Sequence, residues 1–201
     1  MYNTQVSPER DDSDLVAAAL AGERDAFAEL VGRYQQVAFR AAYLVVRDAG
    51  AAEEAAQDGF VRAHQSLRNF RLGEPFRPWL LRIVTNLALN QVRSRSRRLG
   101  LFERVRDAGV AGSEQPADQS VLATEHQRLL WQAIRELPED DRMVLYLRYF
   151  LELPEKEIAT VIGKAPGTVK SRLNRAGGRL RGVIEERYPG LRPVSEGVRG
   201  G

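Results

Sequence analysis

The stretch IATVIGKAPGTVKSRLNRAGGRLR, residues 158–181, sets Thr168, Lys170, Ser171, Arg172, Asn174 and Arg175 close together. Lysine, arginine and asparagine are donors suited to purine edges in a DNA groove, and to phosphates beside it. Thr168, near the start of a helix, is placed to hold a phosphate. No acid occurs between Glu157 and Glu185, whereas Lys164, Lys170, Arg172, Arg175, Arg179 and Arg181 do. A second acid-free run lies between Glu74 and Glu103, with Arg77, Arg82, Arg93, Arg95, Arg97 and Arg98. Two such runs in a chain whose net charge is only +3 point to two contacts with a polyanion. The plainer alternative is two solvated helix faces.

Helices must position these groups. Pro154–Ile162 is short and amphipathic, with Ile158, Ala159 and Ile162 on one side. Gly163 supplies a turn, and a new helix starts near Pro166, because proline suits a first turn. Two helices joined by a short turn containing glycine form a helix-turn-helix, whose second helix enters the major groove. Val169, Leu173 and Leu180 make the inward stripe of that second helix. Upstream, the periodicity predicts helices over 13–21 (capped by Ser13 or Asp14), 24–47, 51–67 and 76–97, with Asp48-Ala-Gly50 as a break and 68–78 as a loop. Residues 99–120 lose any period around Gly100, Gly109, Gly112 and Pro116 and predict a flexible linker. Helices over 121–136, 139–150, 154–162 and 166–187 follow. The expected fold class is therefore all-α: a four-helix domain over 13–98 and a helix-turn-helix domain over 121–187, with a disordered tail, 188–201.

Other chemistries find little support. With no cysteine, disulfides and thiolate metal sites are excluded. The acidic N-terminus has no apolar core of a signal peptide, and no run of about 18 apolar residues spans a membrane. A cytoplasmic protein is expected, with no cofactor and no metal. Glu54 and Asp58 lie four apart, and the only histidines are His64 and His126. Two carboxylates alone do not make an acid–base site, so no enzyme is expected. A stand-alone helix-turn-helix regulator would need a dimerisation element, and neither the linker nor the tail reads as one.

The segment LPEDDRMVLYLRYFLELPEKEIATVIGKAPGTVKSRLNRAGGRLR resembles region 4 of the sigma-70 family of RNA polymerase initiation factors. AAEEAAQDGFVRAHQSLRNFRLGEPFRPWLLRIVTNLALNQVRSRSRR resembles that family's region 2, and the order matches the extracytoplasmic-function group. The resemblance covers about residues 13–187. It implies a transcription initiation factor whose partners are core RNA polymerase, promoter DNA and an anti-sigma factor in a 1:1 heterodimer, with no membrane insertion of its own. It implies a polymerase-clamp surface at Glu53, Glu54, Gln57, Asp58, Phe60 and Arg62, although Phe60 also suits a core. The duplex −35 element would be read by Thr168, Lys170, Ser171, Arg172, Asn174 and Arg175. The opened −10 strand would meet Asn69, Arg71, Arg77, Arg82, Asn86 and Asn90, with Arg93, Arg95, Arg97 and Arg98 gripping backbone. Phe76 and Trp79 keep register with Leu80, Ile83 and Leu87, which favours core packing for both rings. Asn90 stands where many relatives carry an acid. Ala165 brings no capping oxygen, and Gly177-Gly178 inside the last helix implies a bend and a weaker backbone grip.

Overall fold

A computed structural model describes residues 10–105 and 125–191, with nothing resting on the side chains of 98–105. Among the described residues every regular element is helical, and the chain divides into two compact units.

The first unit holds α1 (Asp12–Leu20), α2 (Arg24–Val46), α3 (Ala49–Ser66) and α4 (Phe76–Val105). Each start and stop has a local cause. The Asp11 side chain, not Ser13 or Asp14, caps α1 by accepting the Asp14 N–H at 2.8 Å. Asp48 does the same for α3, accepting the Ala51 N–H at 2.8 Å, so Ala49 and Gly50 belong to the first turn of α3 rather than to a break. Their apolar faces meet in one core, in which Leu15, Val16, Leu30, Phe76, Leu80 and Val84 are fully buried. α1 is further tied to α2 by the Asp12 carboxylate, which takes Arg33 at 2.7 Å and the Tyr34 hydroxyl. Burial, followed by that hydrogen bond to a carboxylate, raises the Tyr34 phenol above its ordinary value.

α4 runs through Val105, past the expected start of the linker at 99. One helical glycine, Gly100, costs about 1 kcal/mol, and the arginines and leucines around it are good helix formers that outweigh it. The rest of the expected linker, 106–120, lies outside the described residues.

The second unit holds α5 (Glu125–Arg135), α6 (Glu139–Leu145), α7 (Glu155–Ile162) as far as Ala159, and α8 (Pro166–Arg187). The expected helix 139–150 changes character after Leu145. Its last turn widens over Tyr146–Phe150, where the Leu151 N–H bonds five residues back to the Tyr146 C=O at 3.1 Å. There Tyr146 and Phe150 both meet the Trp131 ring, at 5.9 and 4.5 Å between centroids. The first residues of the expected tail, 188–191, are ordered. Tyr188 donates to Glu136 at 2.7 Å and Pro189–Leu191 form a short turn, so 188–191 are held against α5. The remainder, 192–201, lies outside the described residues.

α8 runs unbroken through Gly177-Gly178. Both glycines are exposed, and a Cβ added at either would meet nothing within 4 Å. Gly177→Ala and Gly178→Ala are therefore each expected to stabilise the second unit by about 0.5–1 kcal/mol. Urea titrations followed by circular dichroism check this; a lower midpoint in either variant would contradict it.

Candidate nucleic-acid and polymerase interfaces

The turn between α7 and α8 is built as the glycine implied. Gly163 adopts φ 65°, a left-handed conformation that a side chain resists. Its N–H bonds to the Thr160 C=O at 3.3 Å, and the Lys164 N–H to the Ala159 C=O at 3.0 Å, closing the helix end. α8 then starts with Pro166 in its first turn and no side-chain cap from Ala165. Val169 and Ala176 are buried, and α8 packs on α6.

That packing sorts the polar residues of α8 into two edges. Lys170, Ser171, Asn174 and Arg175 are exposed, and Thr168 is half-buried beside them. The Ser171 hydroxyl donates to the Thr168 C=O at 3.0 Å. Arg172, at the margin of this face, is held by an acid. Its guanidinium pairs with Asp140 of α6 at 2.7 Å, and two turns further along Arg179 pairs with the buried Asp141. The helix thus presents one face outward and is strapped to α6 along the margin of that face.

In the first unit, Phe70 turns inward and stacks edge-on against Phe76 (5.8 Å) and Trp79 (5.1 Å). Phe76 is fully buried and Trp79 packs half-buried on the core, as their register implied. The ring cluster braces a loop whose Asn69 and Arg71 are exposed. The Glu74 N–H bonds to the Arg71 C=O at 3.1 Å, which leaves Leu72 at the tip, 57% exposed. Leu72 escaped the sequence reading, which sought polar and aromatic contacts; its signal was an apolar residue directly before a turn glycine.

On α4, Arg82, Asn86, Asn90, Arg93 and Arg97 recur every three or four residues and are all exposed. They form one stripe opposite buried Phe76, Leu80, Val84 and Ala88, and its length is about 22 Å at 1.5 Å per residue. Arg77 is half-buried, and Arg95 is exposed but off the stripe. The Arg98 side chain lies outside the described residues. Buried Thr85 causes no penalty, since it donates to the Leu81 C=O at 2.8 Å.

Glu53, Glu54, Gln57, Asp58 and Arg62 are exposed on α3, whereas Phe60 is 8% exposed and belongs to the core. Beside this row lies a groove of about 550 Å³ between α2 and α3. Gln35, Phe39 and Arg40 of α2 form one wall, and Glu53, Gln57 and an edge of Phe60 the other. The α2 wall could not be read from the sequence, because only the packing of α2 on α3 brings it beside Gln57. Among the described residues no cluster of histidine, aspartate and glutamate could hold a metal ion, and no helix is long and apolar enough to cross a membrane.

Known proteins share this arrangement. The family description "Sigma-70 region 2" matches residues 30–98, and "Sigma-70, region 4" matches residues 127–180. The chain is 35% identical over 178 residues to the RNA polymerase sigma-H factor of Pseudomonas aeruginosa, across 84% of this chain and 91% of that one. The chain is a sigma-70 family factor. It is also 32% identical over 178 residues to the ECF RNA polymerase sigma factor SigW of Bacillus subtilis, across 82% of this chain and 92% of that one, and it belongs to the same extracytoplasmic-function group. The sigma factor RpoE of Bartonella quintana, solved in complex with the anti-sigma factor NepR, superposes with a TM-score of 0.60 at 25% identity, covering 80% of this chain and 98% of that one. The sigma factor is accordingly a promoter-directing initiation factor of two helical regions, region 2 in the first unit and region 4 in the second.

The α3 face of this sigma factor is set by its seat on α4. A Cβ at Gly59 would stand 2.5 Å from Val84 Cγ2, closer than atoms tolerate, and valine has no rotamer freedom to spare. Gly59→Ala is expected to destabilise region 2 by about 1–2 kcal/mol, overpacking outweighing the helix gain. Adding Val84→Ala relieves the clash, so the double variant is expected to be more stable than the sum of the singles. Additive losses in thermal denaturation would contradict it.

Proposed function

We propose that this sigma factor reads the −35 duplex with the outward face of α8: Thr168, Lys170, Ser171, Asn174 and Arg175. The observation that carries this is that Lys170, Ser171, Asn174 and Arg175 stand exposed on α8, while Arg172 and Arg179 along its margin are engaged by α6. In region 2, Asn69 and Arg71 on the braced loop meet the opened −10 strand, and the α4 stripe of Arg82, Asn86, Asn90, Arg93 and Arg97 follows its backbone. Arg77 and Arg95 add charge without belonging to that stripe, and Arg98 is assigned to the same backbone contact. The polymerase clamp takes the outer row of α3, Glu53, Glu54, Gln57, Asp58 and Arg62. The neighbouring α2–α3 groove extends that surface.

The chain works by binding, not by catalysis, and acts in the cytoplasm where polymerase and promoter are. An anti-sigma factor holds it inactive as a 1:1 heterodimer. The complex of the similar Bartonella sigma factor with NepR supports this, and so does the absence of cysteine, which leaves the chain no thiol switch of its own.

Replacing Lys170 or Asn174 by Ala is expected to change base preference at individual −35 positions, each lost bidentate contact costing about 1–3 kcal/mol. Selection of promoters from a randomised pool with reconstituted polymerase measures this. A uniform weakening with an unchanged base profile would remove α8 as the reader.

Asp58→Arg is expected to impair core polymerase binding at least tenfold while helix content stays unchanged. Wild-type affinity of that variant in a core-binding titration would reject the α3 assignment.

A further inference from the structure

Arg172 lies one turn from both Thr168 and Arg175, four and three residues away, at the margin of the outward face of α8. Its side chain is 21% exposed, whereas that of its partner Asp140 is 67% exposed, with 2.7 Å between the charged atoms. The neighbouring pair is built differently, since Asp141 is buried and the Arg179 side chain is exposed. The Asp141–Arg179 pair therefore fastens α8 to α6. In the Asp140–Arg172 pair the acid is the member open to solvent. An ion pair with an exposed partner is weak, and a guanidinium accepts phosphate as readily as carboxylate.

We propose that Asp140 is a built-in competitor of DNA for the Arg172 guanidinium, and that it holds down the sequence-blind part of the affinity of region 4. This rests on the proposed reading of duplex DNA by α8. A phosphate contact adds equally to every sequence, whereas base contacts carry preference. By keeping Arg172 on α6, Asp140 lowers the dwell time of the free factor on random DNA and leaves Lys170 and Asn174 to choose the site. The sequence alone assigns Arg172 to the DNA, because Asp140 is remote from it in the chain; only the packing of α6 on α8 shows what holds it.

The test uses the full chain and short fluorescent duplexes, one carrying a promoter selected with reconstituted polymerase and one of random sequence, titrated from low to moderate salt. Asp140→Asn and Asp140→Ala are expected to tighten binding to both duplexes by the same factor, about fivefold. They are also expected to steepen the plot of log affinity against log salt by about 0.9, the value of one additional phosphate contact. The ratio between the two duplexes stays as in the wild type. Adding Arg172→Ala cancels both changes. A gain that persists without Arg172 would mean simple repulsion of DNA by Asp140, and would overturn the proposal. So would a changed ratio between the duplexes, which would make Asp140 a residue that positions the reading face. Lys170→Ala serves as the control. If it leaves duplex binding unaltered, α8 is not the DNA element and the underlying reading fails. If it weakens binding while the Asp140 variants behave as wild type, only the competition is disproved.

Discussion

The contact between α3 and α4 at Gly59 and Val84 fixes which sides of these two helices stay outside. Two helices proposed to carry different partners on their outer sides must be sealed on their inner sides, and here the seal is close enough that one methyl group would open it. The exposed row of α3 and the basic stripe of α4 are consequences of that seal. Each is what remains once Ala52, Ala56, Phe60, Leu80, Val84 and Ala88 have gone into the core. The second unit obeys the same rule, with the burial of Val169 and Ala176 deciding which residues of α8 are left outside.

Most of the helices were legible because their apolar spacing is regular, and the helix-turn-helix because Gly163 and Pro166 bracket one short turn. What escaped depends on long-range pairing. Nothing local to Arg172 announces Asp140, and nothing near Tyr188 announces Glu136, so both were assigned to solvent or DNA. The α2 wall of the groove was missed for a similar reason. Phe39 reads as one more residue of an amphipathic helix until α3 packs beside it and leaves its ring at the surface. The boundaries of α1, α3 and α4 slipped by a few residues, where the choice among several aspartates or the cost of one glycine decided the end.

Charge is used in two ways. Along α4 the cations recur on one exposed row, an arrangement that suits a flexible strand followed over several nucleotides. Around α8 the cations are divided, some outward and some fastened to acids of α6, which suits a rigid duplex presented in one register. The two units share a chemistry of arginine and asparagine and differ in how firmly each side chain is held.

The fastening of Glu136 to Arg187 and Tyr188 joins the last turn of α8 to the end of α5. During synthesis, the first unit has all four of its helices long before these residues emerge. The second cannot close its outermost contacts until α8 is complete. The nascent chain therefore passes through an interval with one finished half and one unfinished. In that interval the half proposed to hold polymerase is in place while the half proposed to choose the upstream DNA is still being assembled.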